Sequence, residues 1–257
     1  MRGPDRFEGK AAFFDEHYRS TRGRTRLRLV LERLEDILPP PPATVLDVGG
    51  GTGAFAIPLA ERGYAVTLVE PSEDMLRVAR SNVAGDGVEL HLVDGPVERI
   101  LDLVSGPFAA ILLHAVLMYV DDPEVGLAEA RTLAADDAAL SLLEKNRDGL
   151  AIRPGLSGEY QRARRLLEDR RDAGHLGIEN TSRTPEEWEA SLRATGWDPV
   201  DWVGVRLFSD RAPDDLHPGA FEALVELERE AGRRDPYRRV ARLVHLHATA
   251  RRSAARS

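Results

Sequence analysis

Thr44-Val-Leu-Asp-Val-Gly-Gly-Gly-Thr-Gly-Ala54 is a short β-type run that reaches Asp47 and then breaks into glycines at 49, 50, 51 and 53. A helical apolar pattern, Phe55, Ile57, Leu59 and Ala60, follows at once. Glycines in such a turn let the backbone fold sharply and let a ligand approach the main chain with no Cβ in the way. At the end of a strand in an α/β sheet, this is where nucleotide-like ligands sit.

Two adenosine ligands fit the turn. Gly49-x-Gly51-x-x-Ala54 satisfies the dinucleotide fingerprint, and an acid follows at Glu70 after the next strand. NAD and S-adenosylmethionine both need a carboxylate for the ribose hydroxyls, so this match does not separate them. Asp47-x-Gly49-x-Gly51-x-Gly53 resembles the first motif of class I S-adenosylmethionine methyltransferases, where an acid precedes the glycines and a positive sulfonium is at home near it.

Outward from this turn the chain alternates. Ala11 to Leu38 reads as one helix, stopped by the prolines 39–42, because proline lacks the donor and fixes φ. Strands are expected at 44–49, 65–70, 88–93, 108–114 and 138–143, with helices over 54–62 and 72–83 and another opening at Pro123. That rhythm specifies a mostly parallel sheet covered by helices on both faces. From 147 to 183 the chain is polar, arginine-rich and helical in pattern without a strand signal, as in a lid inserted at the sheet's carboxyl edge. Thr184-Pro185-Glu186-Glu187 is a capping box that restarts regular structure. Strands over 199–208 and 241–250, with a helix from near Pro218 between them, complete the α/β domain. The expected organisation is a helical segment over 1–43, the ligand-binding α/β core over 44–146, the lid over 147–183, the rest of the same domain over 184–250 and a flexible tail over 251–257.

Composition narrows the function. The 257 residues are 42% hydrophobic, ample for a core, and carry no cysteine, which excludes disulfides and a zinc–thiolate site. No metal is called for. The apolar stretch Phe108–Val120 is too short to span a bilayer, so a cytoplasmic protein without a membrane partner is expected. Net charge is −8, against a broad nucleic-acid surface. Yet arginines cluster at 19–28, 162–171 and 233–242, and arginine suits planar contact with phosphate or carboxylate.

Further along, Leu113-His-Ala-Val-Leu-Met-Tyr-Val-Asp-Asp-Pro123, Asn146-x-x-Gly-Leu150 and Thr195-Gly-Trp197 stand out. So do Gly204-Val-Arg-Leu-Phe-Ser-Asp210, Phe221-Glu-Ala-Leu-Val-Glu-Leu-Glu228, Asp235-Pro-Tyr237 and Leu243-Val-His-Leu-His-Ala-Thr-Ala-Arg251. With Tyr18-Arg-Ser-Thr-Arg-Gly-Arg-Thr-Arg26, these resemble the tRNA 5-carboxymethoxyuridine methyltransferases from about Phe14 to Arg251. Where that family has aspartate this chain has Glu70, and Asp94 is an acid the family lacks.

The resemblance implies a Rossmann-like sheet of seven strands with the last antiparallel. It also implies S-adenosylmethionine held by Arg26, Gly49, Gly50, Glu70, Asp94, Gly95 and His114, with Asp47, Gly51 and Pro71 beside them. The implied reaction is methyl transfer to a carboxylate, already ionised at neutral pH, so that positioning rather than a general base carries it; His114 is the one candidate for a direct catalytic part. Tyr119, Asn146, Arg206 and Tyr237 are the expected substrate contacts, with Arg206 on an alternating strand and Asn146 at the mouth. His114, Tyr119 and Trp197 equally suit plain core packing. Three readings stay open: ester formation on tRNA, methylation of a small carboxylate or hydroxyl metabolite, and a catalytically silent S-adenosylmethionine-binding protein. Oligomeric state is not legible.

Overall fold

Thr44–Val48 forms β1, the strand from which the sheet grows in both directions. The structure is a computed structural model that describes residues 7, 9–83, 88–173 and 177–252; residues 253–257 of the expected tail and residues 174–176 of the expected lid lie outside these. Along β1, Val45 packs into one core while Leu46 and Val48 pack into another. Successive side chains of a strand point to opposite faces, so an unbroken apolar run means both faces are covered.

β2 (Ala65–Glu70) and β4 (Phe108–His114) flank β1 in parallel, and β3 (Leu90–Asp94) and β5 (Ala134–Lys145) extend the sheet. Two short strands of two residues each in the insertion, β6 (Arg171–Asp172) and β7 (Asn180–Thr181), pair with each other outside the main sheet. β8 (Trp197–Val205) and β9 (Leu243–Ala250) finish the sheet in the order β3-β2-β1-β4-β5-β9-β8. β9 runs antiparallel to both neighbours. The seven-stranded Rossmann-like sheet with its last strand antiparallel is the fold the sequence called for.

Helices α1 (Ala11–Arg19), α2 (Thr21–Ile37), α3 (Ala56–Glu61) and α4 (Glu73–Asn82) precede the short α5 (Ile100–Leu103) and α6 (Pro123–Leu133). The insertion holds α7 (Ile152–Leu156) and α8 (Tyr160–Glu168), and α9 (Pro185–Ala194) and α10 (Pro218–Ala231) follow. Val30, Leu34, Leu59 and Leu76 cover one face of the sheet; Leu127, Leu133, Trp188 and Leu192 cover the other. Among the described residues no helix is long and apolar enough to cross a membrane.

Three elements differ from the sequence reading. The single helix expected over 11–38 is broken at Ser20, whose extended backbone (ψ 156°) ends α1 and whose Oγ accepts from Gly23 N at 3.2 Å to cap α2. α1 then folds back over α2 so tightly that a Cβ on Gly23 would lie 1.9 Å from the His17 carbonyl oxygen. β5 starts four residues earlier than expected, because Asp136–Asp137 bulge out with Asp137 at φ +62°. The insertion contains the β6–β7 pair that its composition concealed. Its ends meet, Arg147 N donating to Arg183 O at 3.1 Å, so residues 147–183 leave and rejoin the domain at one point.

The α1–α2 crossing makes a prediction of definite sign. Propensity alone gives Gly23→Ala a gain of about 1 kcal/mol in a helix. The steric clash instead predicts a loss of about 1–3 kcal/mol, read as a lower urea midpoint. An unchanged or raised midpoint would mean the crossing is looser than described.

Candidate active site

The glycine turn at the end of β1 is held by its neighbour strand. Gly49 N donates to Val69 O at 2.7 Å, and Gly51 N donates to Glu70 Oε2 at 3.0 Å. Glu70 Oε1 accepts from Ser72 N at 3.0 Å, so one buried carboxylate ties the β1 turn to the β2 turn. Gly49 sits at φ +68°, and a Cβ there would meet Val116 Cγ2 at 2.7 Å. A Cβ on Gly50 would meet Leu68 Cγ at 2.6 Å and Asp47 Oδ2 at 2.8 Å. Behind Gly50, the Asp47 carboxyl is buried with no hydrogen-bond partner among the described residues. Burial, and then the nearby Glu70 charge, push its pKa up to about 7.

Above this turn opens a cavity of about 490 Å³. Its floor is Gly49, Gly50, Gly51, Glu70, Pro71 and Gly95. Six cations line it: Arg22, Arg26, Lys145, Arg153, Arg206 and Arg242. They arrive from α2, the end of β5, the insertion, the end of β8 and the start of β9. Glu70, Glu98 and Asp121 are the carboxylates that share the lining. Just outside it, Asp210 accepts from Arg206 Nε at 2.7 Å, and Asp172 lies 3.8 Å from Arg242. Arg26 is buried without an ion pair among the described residues, its guanidinium stacked 5.6 Å from the Phe55 ring centre and 5.8 Å from that of Tyr18.

Two loops that shape this cavity are nailed by buried acids. Glu144 accepts from Val116 N (3.1 Å), Leu117 N (2.8 Å) and Met118 N (3.2 Å), fixing the turn after β4. Glu228, reaching in from α10, accepts from Leu207 N (2.8 Å), Phe208 N (3.0 Å) and Ser209 N (2.7 Å), fixing the turn after β8. Both acids are fully buried. Each clamped turn begins with a non-glycine residue in the left-handed region, Ala115 at φ +59° and Arg206 at φ +66°, and both line the cavity. Such conformations cost on the order of 1–3 kcal/mol and persist only where the surroundings over-determine them.

His114 lies at the carboxyl end of β4, edge-on to Phe55 with ring centres 4.7 Å apart. Its Nε2 is 2.7 Å from Ser141 Oγ on β5, which is in turn 2.7 Å from His245 Nε2 on β9. Burial, and then the charge of Arg26, pull His114 down to about 3, and burial pulls His245 well below its usual range, so both rings are neutral near pH 7. One hydroxyl donates to only one of them. The other must donate its Nε2–H to Ser141, so the two rings carry opposite tautomers.

Neither histidine of the cavity titrates near neutral pH. His17 is pulled down to about 3 by burial and by Arg206, Arg26 and Arg22. Burial pushes Tyr119 up to about 12. Lys145 is lowered to about 8 by burial and then Arg242, and its Nζ donates to Asn180 Oδ1.

Of the residues the sequence singled out, Arg26, Gly49, Gly50, Gly51, Glu70, Pro71, Gly95, His114, Tyr119 and Arg206 line this one cavity. Asp47 lies behind it, and Asp94, in register with Glu70 on β3, is exposed beside it. Arg206 is not on an alternating strand: β8 ends at Val205, and the left-handed turn swings Arg206 inward. Asn146 is not at the mouth. It is fully buried, its Nδ2 donating to Arg239 O (2.8 Å) and Ala241 O (2.9 Å), which leaves it no group for a ligand. Tyr237 is half exposed on a surface turn outside the cavity. Trp197 is core, its indole donating to Leu127 O at 3.0 Å. Lys145 and Arg153 escaped the sequence reading as site residues, as did the clamps Glu144 and Glu228, while Arg242 belongs to the marked 233–242 arginine cluster; the one local signal for the others was a charged pair, Glu144-Lys145, closing an apolar strand.

Sheet order, glycine turn and neighbouring acid together define a class I S-adenosylmethionine-dependent methyltransferase. Residues 45–137 match the Methyltransferase domain family, and the chain belongs to the S-adenosylmethionine-dependent methyltransferases, with S-adenosylmethionine as methyl donor. It is 29% identical over 237 residues to the tRNA 5-carboxymethoxyuridine methyltransferase of Escherichia coli (strain K12), which covers 90% of each chain. It is 32% identical over 161 residues to a ubiquinone biosynthesis O-methyltransferase of Azotobacter vinelandii, covering 63% of this chain and 67% of that one. Among solved structures, a methyltransferase in complex with the Trm112 activator of Haloferax volcanii superposes with a TM-score of 0.68 at 15% identity, over 98% of this chain and 100% of that one. Magnesium protoporphyrin IX methyltransferase of Synechocystis, solved with bound S-adenosylhomocysteine, gives 0.64 at 13% identity, over 95% and 96%.

The histidine network is open to direct measurement. Nitrogen-15 NMR of the imidazoles is expected to show one ring protonated on Nδ1 and one on Nε2, with neither titrating between pH 5 and 8. Two rings in the same tautomer, or a titration in that range, would contradict it.

Proposed function

We propose that this methyltransferase esterifies the carboxylate of 5-carboxymethoxyuridine at the wobble position of tRNA. The observation that carries this reading is the cavity itself, with six cations on its walls among the described residues, neither histidine titrating near neutral pH, and Lys145, lowered to about 8, already donating to Asn180. A carboxylate with a pKa of about 4 is ionised already, is drawn to those cations and has no proton to remove. A hydroxyl acceptor would need a base. The similarity to the tRNA 5-carboxymethoxyuridine methyltransferase along 90% of both chains supports the same choice, and a tRNA acceptor places the enzyme in the cytoplasm.

The lining fits the donor. Arg26, with no carboxylate partner among the described residues, suits the methionine carboxylate. Glu70, tied to the N–H groups of Gly51 and Ser72 at the end of β2, is the acid that suits the ribose hydroxyls. Asp47, buried and unpartnered behind Gly50, suits a nearby positive charge. Bound there, S-adenosylmethionine supplies a methyl on a sulfonium, which passes to a carboxylate oxygen as the C–S bond breaks.

The chain's residues then position and desolvate. Arg206, aimed by the left-handed turn and held by Asp210, and Arg153 and Arg242 beside it are placed to take the acceptor anion. Tyr119 keeps its proton and offers a hydrogen bond. The neutral His114 and His17 add no positive charge to repel the sulfonium.

Incubation with methyl-labelled S-adenosylmethionine and tRNA carrying 5-carboxymethoxyuridine is expected to label the tRNA, and mild alkali is expected to release the label as methanol. Unlabelled tRNA with S-adenosylhomocysteine binding intact would sink the tRNA reading and leave a small carboxylate acceptor. Arg206→Gln is expected to lower kcat/KM on this tRNA by about 10–100-fold, the worth of a hydrogen bond to a charged group. The sign for Lys145 is also fixed: its charge, and its help to an anion, are present below about pH 8 and lost above it. The wild-type KM for tRNA should therefore rise through that range, and Lys145→Arg should flatten the rise; identical profiles would exclude the lysine.

A further inference from the structure

Helix α1 is nine residues long and presents four aromatic side chains, Phe13, Phe14, His17 and Tyr18, to the cavity. Their spacing makes two i, i+4 pairs, neighbours on a helix surface. Phe14 and Tyr18 have other rings to pack on. Phe14 meets Phe7 at 6.3 Å, and Tyr18 stands edge-on to Phe55 at 6.4 Å with the Arg26 guanidinium near its face.

Phe13 and His17 also have neighbours, Phe14 edge-on at 5.9 Å and Tyr18 at 5.9 Å, but they are set parallel to each other. Their ring planes lie within 6° of each other, with centres 6.5 Å apart, and Phe13 is 40% exposed although it lines the cavity. Aromatic pairs in this protein otherwise meet tilted or edge-to-face, as Phe7–Tyr119 and Phe55–His114 do. A phenyl ring left this open gives up part of the burial that would stabilise it. The two near-parallel rings stand on the wall with Phe13 partly open to solvent. Arg22 and Arg206 line the same cavity, and their charges add to the burial that keeps His17 neutral. Planar apolar surface next to guanidinium groups is the pairing of features that recognises an unstacked base bearing a negative charge.

Resting on the function proposed above, we propose that Phe13 and His17 form the platform on which the acceptor's pyrimidine ring stacks, while Arg22 and Arg206 take its carboxylate. The platform gives the enzyme a means of preferring a base-borne carboxylate over a free one. Tyr18, packed beside Arg26, belongs instead to the donor end of the cavity.

The test compares wild type, Phe13→Ala and Phe13→Trp by methylation kinetics on tRNA carrying 5-carboxymethoxyuridine, with S-adenosylhomocysteine affinity measured by calorimetry on each. Loss of one base–aromatic stack is worth about 5- to 150-fold in affinity. Phe13→Ala is therefore expected to raise KM for the tRNA within that range, with kcat and S-adenosylhomocysteine affinity within about twofold of wild type, and Phe13→Trp to restore it. Methoxyacetate, which carries the carboxymethoxy group without a ring, should compete equally well against all three. An unchanged KM in Phe13→Ala, on a tRNA that the wild type methylates, overturns the platform and leaves the acceptor assignment standing. An equal loss of S-adenosylhomocysteine affinity overturns it too, by assigning Phe13 to the donor. A wild-type enzyme that binds S-adenosylhomocysteine but leaves this tRNA unlabelled overturns the acceptor assignment itself, and the ligand of the platform with it.

Discussion

Backbone N–H groups in the loops at the carboxyl edge of the sheet have no ladder partners, yet burial obliges them to find acceptors. In this protein buried carboxylates supply them. Glu70 joins the first glycine turn to the turn after β2, Glu144 clamps the turn after β4, and Glu228 clamps the turn after β8. Each accepted N–H bond offsets part of the acid's desolvation, although at Glu144 burial outweighs three of them and pushes the pKa up to about 8, and in return the clamp fixes the loop backbone. The cavity is thereby shaped before any ligand arrives. The left-handed conformations of Ala115 and Arg206 are sustained by these clamps, and Arg206 points inward because of one of them.

A second constraint is electrostatic. The chain is acidic overall, with a net charge of −8, but function depends on the local field rather than the total. Among the described residues six cations share one cavity with Glu70, Glu98 and Asp121, and just outside it Asp210 and Asp172 each serve as partner to an arginine. Burial, and then the neighbouring positive charges, have neutralised the histidines and softened Lys145, while the arginines keep their charge. What remains is a site built to hold an anion, which suits methyl transfer to a carboxylate.

The parallel half of the sheet was legible because its strands are apolar runs punctuated by glycine, proline and acids, and the glycine turn announced the floor of the cavity. The acceptor end was less so, for reasons that are tertiary. Nothing near Arg206 says that β8 stops at Val205; the clamp that stops it, Glu228, lies on the next helix. Asn146 has the look of a polar residue at a mouth, but its amide satisfies the carbonyls of Arg239 and Ala241, a need created only when β9 folds back. Ser20 reads as one polar residue in a long helical stretch, and the break there depends on Gly23 allowing α1 to cross. Lys145 and Arg242 meet because β5 and β9 pair in antiparallel register, which spacing along the chain does not reveal.

The central claim is that the cavity orients an acceptor already ionised and removes no proton from it. The measurement that bears on it most directly is the single-turnover rate of methyl transfer to tRNA carrying 5-carboxymethoxyuridine, at saturating donor and acceptor, between pH 5.5 and 7.5. The account predicts a rate independent of pH across that window. A rate rising tenfold per pH unit would show that a base must first be freed, and would contradict it.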